Sequence, residues 1–157
     1  MKPRKIAAYL MLVVSILSLA LFAEAQSKPN VSGTWKMNAE KSKFERGGPK
    51  AITIKLDQQE STLKESLTLT NDQGDRTVNF TYTLDGKESL QQLEGQQIKT
   101  TAKWEGEALI IEFKNDADGF TFLRKITVSG DGKTMTIAVK QSSPNGAAND
   151  TVVLEKQ

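Results

Sequence analysis

Two charged side chains occupy strand positions where apolar ones are expected. Leu63, Leu67 and Leu69 alternate with polar residues, and Glu65 falls in phase with the leucines; Phe120, Phe122, Ile126 and Val128 share a second phase with Arg124. Alternation at period two puts in-phase side chains on one face of a strand. A lone carboxylate or guanidinium on a buried face costs several kcal/mol, so each needs a partner. Three arrangements satisfy them: an internal ion pair, positions near enough to an opening for solvent, or an interior cavity in which Arg124 receives the carboxylate or other anion of a ligand. In the last, Glu65, Tyr82, Thr100 and Arg124 are the candidate ligand-binding residues, Tyr82 and Thr100 as hydrogen-bonding groups.

Composition removes most other chemistry. The chain of 157 residues has no Cys and no His. It therefore lacks a thiol nucleophile, a disulfide framework, a thiolate metal site and the usual general base of hydrolytic triads. No cofactor motif and no metal site are expected. Asp116-Ala117-Asp118-Gly119 is similar to the start of a calcium loop, but its Gly stands at the fourth place instead of the sixth, and Thr127 holds the twelfth place where a Glu is required. Catalysis by a pair of inward carboxylates stays open as a class, since sequence does not give their separation.

The elements that would position these residues begin after an export segment. Lys2, Arg4 and Lys5 precede an apolar run over 6–22, and Ala23-Glu24-Ala25 has the small-x-small pattern of a cleavage site. Residues 1–25 are expected to be a signal peptide cut between Ala25 and Gln26, followed by a linker over 26–30 and a domain over 31–157. An uncleaved anchor is the competing reading, with a run slightly short for a spanning helix of about 20 residues. Removing the segment takes three basic residues and one acidic residue from totals of 21 and 19, leaving 18 of each. Balanced charge without basic blocks argues against a nucleic-acid partner and, after cleavage, against a membrane partner.

From Val31 onward the pattern is strand after strand. Ile52, Ile54 and Leu56 alternate with polar residues, as do Val78, Phe80, Tyr82 and Leu84, then Ile98, Thr100, Ala102 and Trp104, then Leu109, Ile111 and Phe113, then Met135, Ile137 and Val139. Asp85-Gly86, Glu94-Gly95, Glu105-Gly106, Asp118-Gly119 and Asp131-Gly132 carry hairpin chemistry. Longer loops are expected over 38–50, with one helical turn near 39–44, and over 142–150. About ten strands with one apolar face and no helical layer predict an all-β antiparallel meander closed into an up-and-down barrel, which hides the face and removes exposed edges. A Greek-key sandwich is the alternative.

Within that pattern Val31-Ser32-Gly33-Thr34-Trp35-Lys36-Met37-Asn38 resembles the Gly-x-Trp start of the lipocalins and the Gly-Thr-Trp-Lys start of the intracellular fatty-acid-binding proteins, both calycin barrels. The mature chain looks like a bacterial secreted lipocalin-like protein. The resemblance implies Trp35 and Trp104 as core plugs closing the barrel. Two departures limit it: 38–50 is too short for the helix-turn-helix lid of the fatty-acid-binding family, and the chain ends in a strand where lipocalins carry a helix. Together these readings predict a periplasmic or secreted binding protein, not an enzyme, holding a small hydrophobic or amphiphilic molecule. A barrel filled by its own side chains, acting as a structural or protein-interaction domain, is the alternative. Amino-terminal sequencing of the exported protein is expected to return Gln26 first; an intact Met1 would mean an anchor instead.

Overall fold

The computed structural model describes residues 28–157; the expected signal segment and the first two linker residues lie outside them. Ten strands follow in chain order: β1 Gly33–Met37, β2 Ala51–Gln58, β3 Thr62–Asn71, β4 Gly74–Thr83, β5 Ser89–Leu93, β6 Gln96–Glu105, β7 Ala108–Asn115, β8 Phe120–Val128, β9 Thr134–Ser143 and β10 Gly146–Lys156. All pairings are antiparallel, in one sheet ordered β4-β3-β2-β1-β10-β9-β8-β7-β6-β5. The sheet curls into a nearly closed barrel, as the alternation demands. All ten strands belong to the one wall.

Inward residues at one end make a packed base. Trp35, Leu63, Leu109, Met135 and Leu154 are fully buried there, with Ile126 beside them. The Gly-Thr-Trp stretch has a local physical cause. Gly33 has φ +132°, a backbone conformation that favours glycine, and the missing Cβ leaves room for the end of the Lys156 side chain. The Lys156 ammonium then sits 5.2 Å from the centre of the Trp35 ring, whose Nε1 donates to the Val31 carbonyl at 2.9 Å. Trp35 is fully buried in this base, whereas Trp104 has the inward phase but lies near the end of β6, half-buried at the margin of the core.

Two connections differ from expectation. Residues 142–150 are not a loop: β9 and β10 pair through Ser143↔Gly146 and turn on Pro144-Asn145 alone. Ladder pairing continues through polar residues because backbone bonds, not side-chain apolarity, hold an exposed hairpin. Asp85-Gly86 does not join β4 to β5 as a hairpin. Asp85 bridges instead to Lys103, Gly86 N–H donates to the Ala102 carbonyl at 2.9 Å, and β4 and β5 become the two ends of the sheet. Their seam is tied by side chains: the Gln91 amide donates to the Thr81 carbonyl at 2.6 Å, and Arg76 pairs with Glu94 at 2.6 Å.

The connection over 38–50 has a single turn closed from Ser42 N–H to the Asn38 carbonyl, at 3.1 Å, and no helix. It runs on alongside β10, exchanging bonds between Lys43 and Thr151 and between Glu45 and the Asn149-Asp150 pair. Phe44 turns inward from it and packs on the core. A Cβ at Gly48 would come within 2.4 Å of the Phe44 ring. Gly48→Ala is therefore expected to dislodge that ring and cost about 1–3 kcal/mol, as overpacking does, read from urea unfolding; an unchanged midpoint would show that Phe44 does not hold this wall.

Candidate functional site

The two anomalous charges meet. Glu65 on β3 and Arg124 on β8 come from opposite walls, and each residue is under 5% exposed. Arg124 Nη1 donates to Glu65 Oε1 at 2.7 Å and Nη2 to Oε2 at 2.7 Å, a bidentate end-on pair. Tyr82, on β4, donates its hydroxyl to Glu65 Oε2 at 2.8 Å and accepts from Arg124 Nη2 at 2.9 Å. The Phe113 ring lies 5.1 Å from the guanidinium carbon, and Phe80, Tyr82, Phe113 and Phe122 pack ring against ring around it.

Protonation follows from this geometry. Burial would push the Glu65 carboxyl up, but the Arg124 charge and the hydrogen bonds from Arg124 and Tyr82 outweigh it and hold it below its ordinary value. Burial, opposed by Arg124 and helped by the Glu65 carboxylate, raises the Tyr82 phenol well above its own. Burial disfavours the charged form of Arg124, yet Glu65 and Tyr82 more than offset this and raise it. At neutral pH the triad is thus carboxylate, guanidinium and neutral phenol, with no net charge.

Above it the barrel is hollow. A cavity of about 430 Å³ opens between the β3–β4, β5–β6 and β7–β8 turns, walled by Leu67, Leu69, Val78, Phe80, Ile98, Phe113 and Phe122. A second, of about 280 Å³, lies beneath Phe44 and the Gly47-Gly48-Pro49 segment. The two share Leu67, Leu69, Phe122 and Arg124 as wall residues. Arg76, Glu94, Lys114 and Asp118 ring the larger mouth as exposed side chains.

Of the four sequence-nominated residues, the structure joins Glu65, Tyr82 and Arg124 in one network. Only Arg124 of the four lines the cavities. Thr100 is buried apart from the triad, its hydroxyl 2.9 Å from that of Ser89 on β5. The guanidinium fork nominated for a ligand anion is occupied by Glu65. Two further residues belong to the site. Phe113 shows an inward phase in the sequence but not its contact with Arg124, and the one sequence signal for Phe44 is that it is the lone aromatic of 38–50. Among the described residues no cluster of acidic side chains is placed to hold a metal ion.

The fold is an all-β antiparallel barrel like that of lipocalins and fatty-acid-binding proteins. No family model and no curated protein matches the sequence. Solved structures do match by shape. A secretory abundant heat soluble protein from Ramazzottius varieornatus superposes with TM-score 0.62 at 15% identity over 84% of this chain and 98% of its own. The zebrafish ileal bile acid-binding protein complexed with cholic acid gives 0.58 at 16% identity over 80% and 98%. The fatty-acid-binding protein 1 of Echinococcus granulosus gives 0.52 at 14% identity over 80% and 96%. What is shared at such identities is the fold.

Removing one member of the buried pair strands the other. Arg124→Leu is expected to cost about 3–5 kcal/mol, with most of it recovered in the Glu65→Leu, Arg124→Leu double variant. The pH dependence should also reverse. In the parent protein Glu65 has a depressed folded pKa, so its contribution is present above the unfolded value and lost as pH falls through the folded one. In Arg124→Leu, burial is the largest influence and is opposed only by the Tyr82 hydrogen bond; the folded pKa is raised, and stability falls as pH rises above the unfolded value. Urea midpoints from about pH 2.5 to 8 measure both, the parent's loss falling below the unfolded carboxyl value and the variant's above it; parallel profiles would show that Arg124 does not govern Glu65.

Proposed function

We propose that this protein is a binding protein for a small hydrophobic or amphiphilic molecule held inside the barrel, and that it is exported through the signal segment 1–25 to a periplasm or an extracellular space. The observation that carries the binding reading is the cavity itself. Its volume of about 430 Å³ falls within the ordinary range for small-molecule sites, and its wall is mainly Leu, Ile, Val and Phe. A packed base supports a hollow upper half whose lining is apolar, so an apolar chain entering it leaves water without displacing any packed group. The zebrafish protein of the same fold is described as complexed with cholic acid, and the Echinococcus protein as fatty-acid-binding, which agrees with this use of the interior.

A binding role suits the chemistry better than catalysis. The buried acid is Glu65, which meets the cavity only through Arg124 and whose oxygens accept from Arg124 and Tyr82. A general acid or base must exchange a proton with a bound group. Arg124 and Tyr82 hold this one ionised and covered. Export rests on the basic start, the apolar run and Ala23-Glu24-Ala25; a bacterial source is part of the same reading.

The test is to fill the cavity. Leu69→Trp places an indole where both cavities meet and is expected to abolish uptake of Nile red, a neutral apolar dye. Stability should change by about 1 kcal/mol or less, because the bulk enters empty space. Equal dye binding in both proteins, at a surface site, would overturn the carrier reading.

A further inference from the structure

Every polar side-chain atom of the buried triad has a hydrogen-bond partner except one. The end-on pair engages both terminal nitrogens of Arg124, while its Nε–H, buried with the rest of the side chain, has no partner among the described residues. A buried donor without an acceptor costs free energy comparable to a lost hydrogen bond and is uncommon in folded proteins. Arg124 is also a wall residue of both cavities and the one buried charged residue in either lining. The orphan donor therefore belongs to the side chain that meets the hollow.

The charge balance around that donor then narrows the ligand. A guanidinium facing a cavity alone would attract a carboxylate. Here its charge is already matched by Glu65 at 2.7 Å, and Glu65 would repel a second anion brought to the same place. An entering carboxylate would give up its hydration without a free counter-charge, a desolvation that a single hydrogen bond does not offset. A neutral carbonyl, ester or ether oxygen needs only one donor. The rim supplies no deep cation either, since Arg76 is paired with Glu94 and Lys114 with Glu112, all at exposed or half-exposed positions.

We infer that the cavity selects neutral amphiphiles carrying one hydrogen-bond acceptor, seated on the Arg124 Nε–H, and discriminates against the corresponding carboxylates because Glu65 has neutralised Arg124. This rests on the carrier reading and adds the chemical class of its ligand. Glu65 is then a specificity residue acting through Arg124: it sets which polar end is accepted without touching the ligand.

Methyl dodecanoate, dodecanoate and dodecane share a chain and differ at one end, so competition with Nile red at pH 8 reads the polar group alone. The parent protein is expected to bind the ester about tenfold or more tightly than the carboxylate, and more tightly than the alkane. Glu65→Gln keeps shape while freeing the Arg124 charge, and it should shift the preference towards dodecanoate by about tenfold or more. Circular dichroism establishes that this variant is folded. Should it unfold, the Glu65→Leu, Arg124→Met double variant replaces it, and there the preference for ester over alkane should vanish. Dodecanoate binding as tightly as the ester in the parent protein, or an ester preference that survives loss of the pair, would overturn the inference and leave the carrier reading standing. Displacement by none of the three would overturn the carrier reading as well.

Discussion

A single buried ion pair constrains the interior of this barrel. Glu65 and Arg124 stand on strands five places apart in the sheet order, so their bond spans the lumen and not a ladder. Because strand side chains alternate, a one-residue slip of β3 or β8 would send one charge to the outer face and strand the other. The pair therefore bears on register across the barrel more than on stability, since much of its attraction is offset by the water both groups gave up. Tyr82 completes the network from β4, which couples one edge strand of the open sheet to the opposite wall.

The pair also divides the lumen. On its base side the apolar side chains close up around Trp35, Leu109, Met135 and Leu154, without exposure to solvent. On the other side Leu67, Leu69 and Phe122 line open space shared by two cavities. A hollow interior loses dispersion contacts that a filled one would have. The neutral triad and the packed base make that loss tolerable, and hollow space then becomes the part of the molecule able to exchange its contents.

Entry to that space is shaped by two irregular parts of the wall. The seam between β4 and β5 lacks a backbone ladder and is tied by Gln91 and by the Arg76–Glu94 pair. The segment over 38–50 replaces strand with loop and is seated by Phe44 against Gly48. Barrels of the same fold from Ramazzottius varieornatus, zebrafish and Echinococcus granulosus align with it over most of their lengths at 14–16% identity. Such identities show that few side chains are needed to specify the wall, which leaves the lining free to differ.

Alternation in the sequence was enough to predict ten strands, the inward set and the closed all-β meander, because period-two burial is a local property of each strand. It also singled out Glu65 and Arg124, since a charge in an apolar phase is visible without coordinates. What it did not contain was which strands lie opposite each other, and so it left open whether Arg124 was free for an anion or bound to Glu65. That depends on barrel closure, which brings residues 59 positions apart within 2.7 Å. The fate of Trp104, the absence of a β4–β5 hairpin and the inward turn of Phe44 were settled likewise by neighbours distant in sequence. Phase along a strand tells which way a side chain faces; depth, partners and empty space exist only once the walls have met.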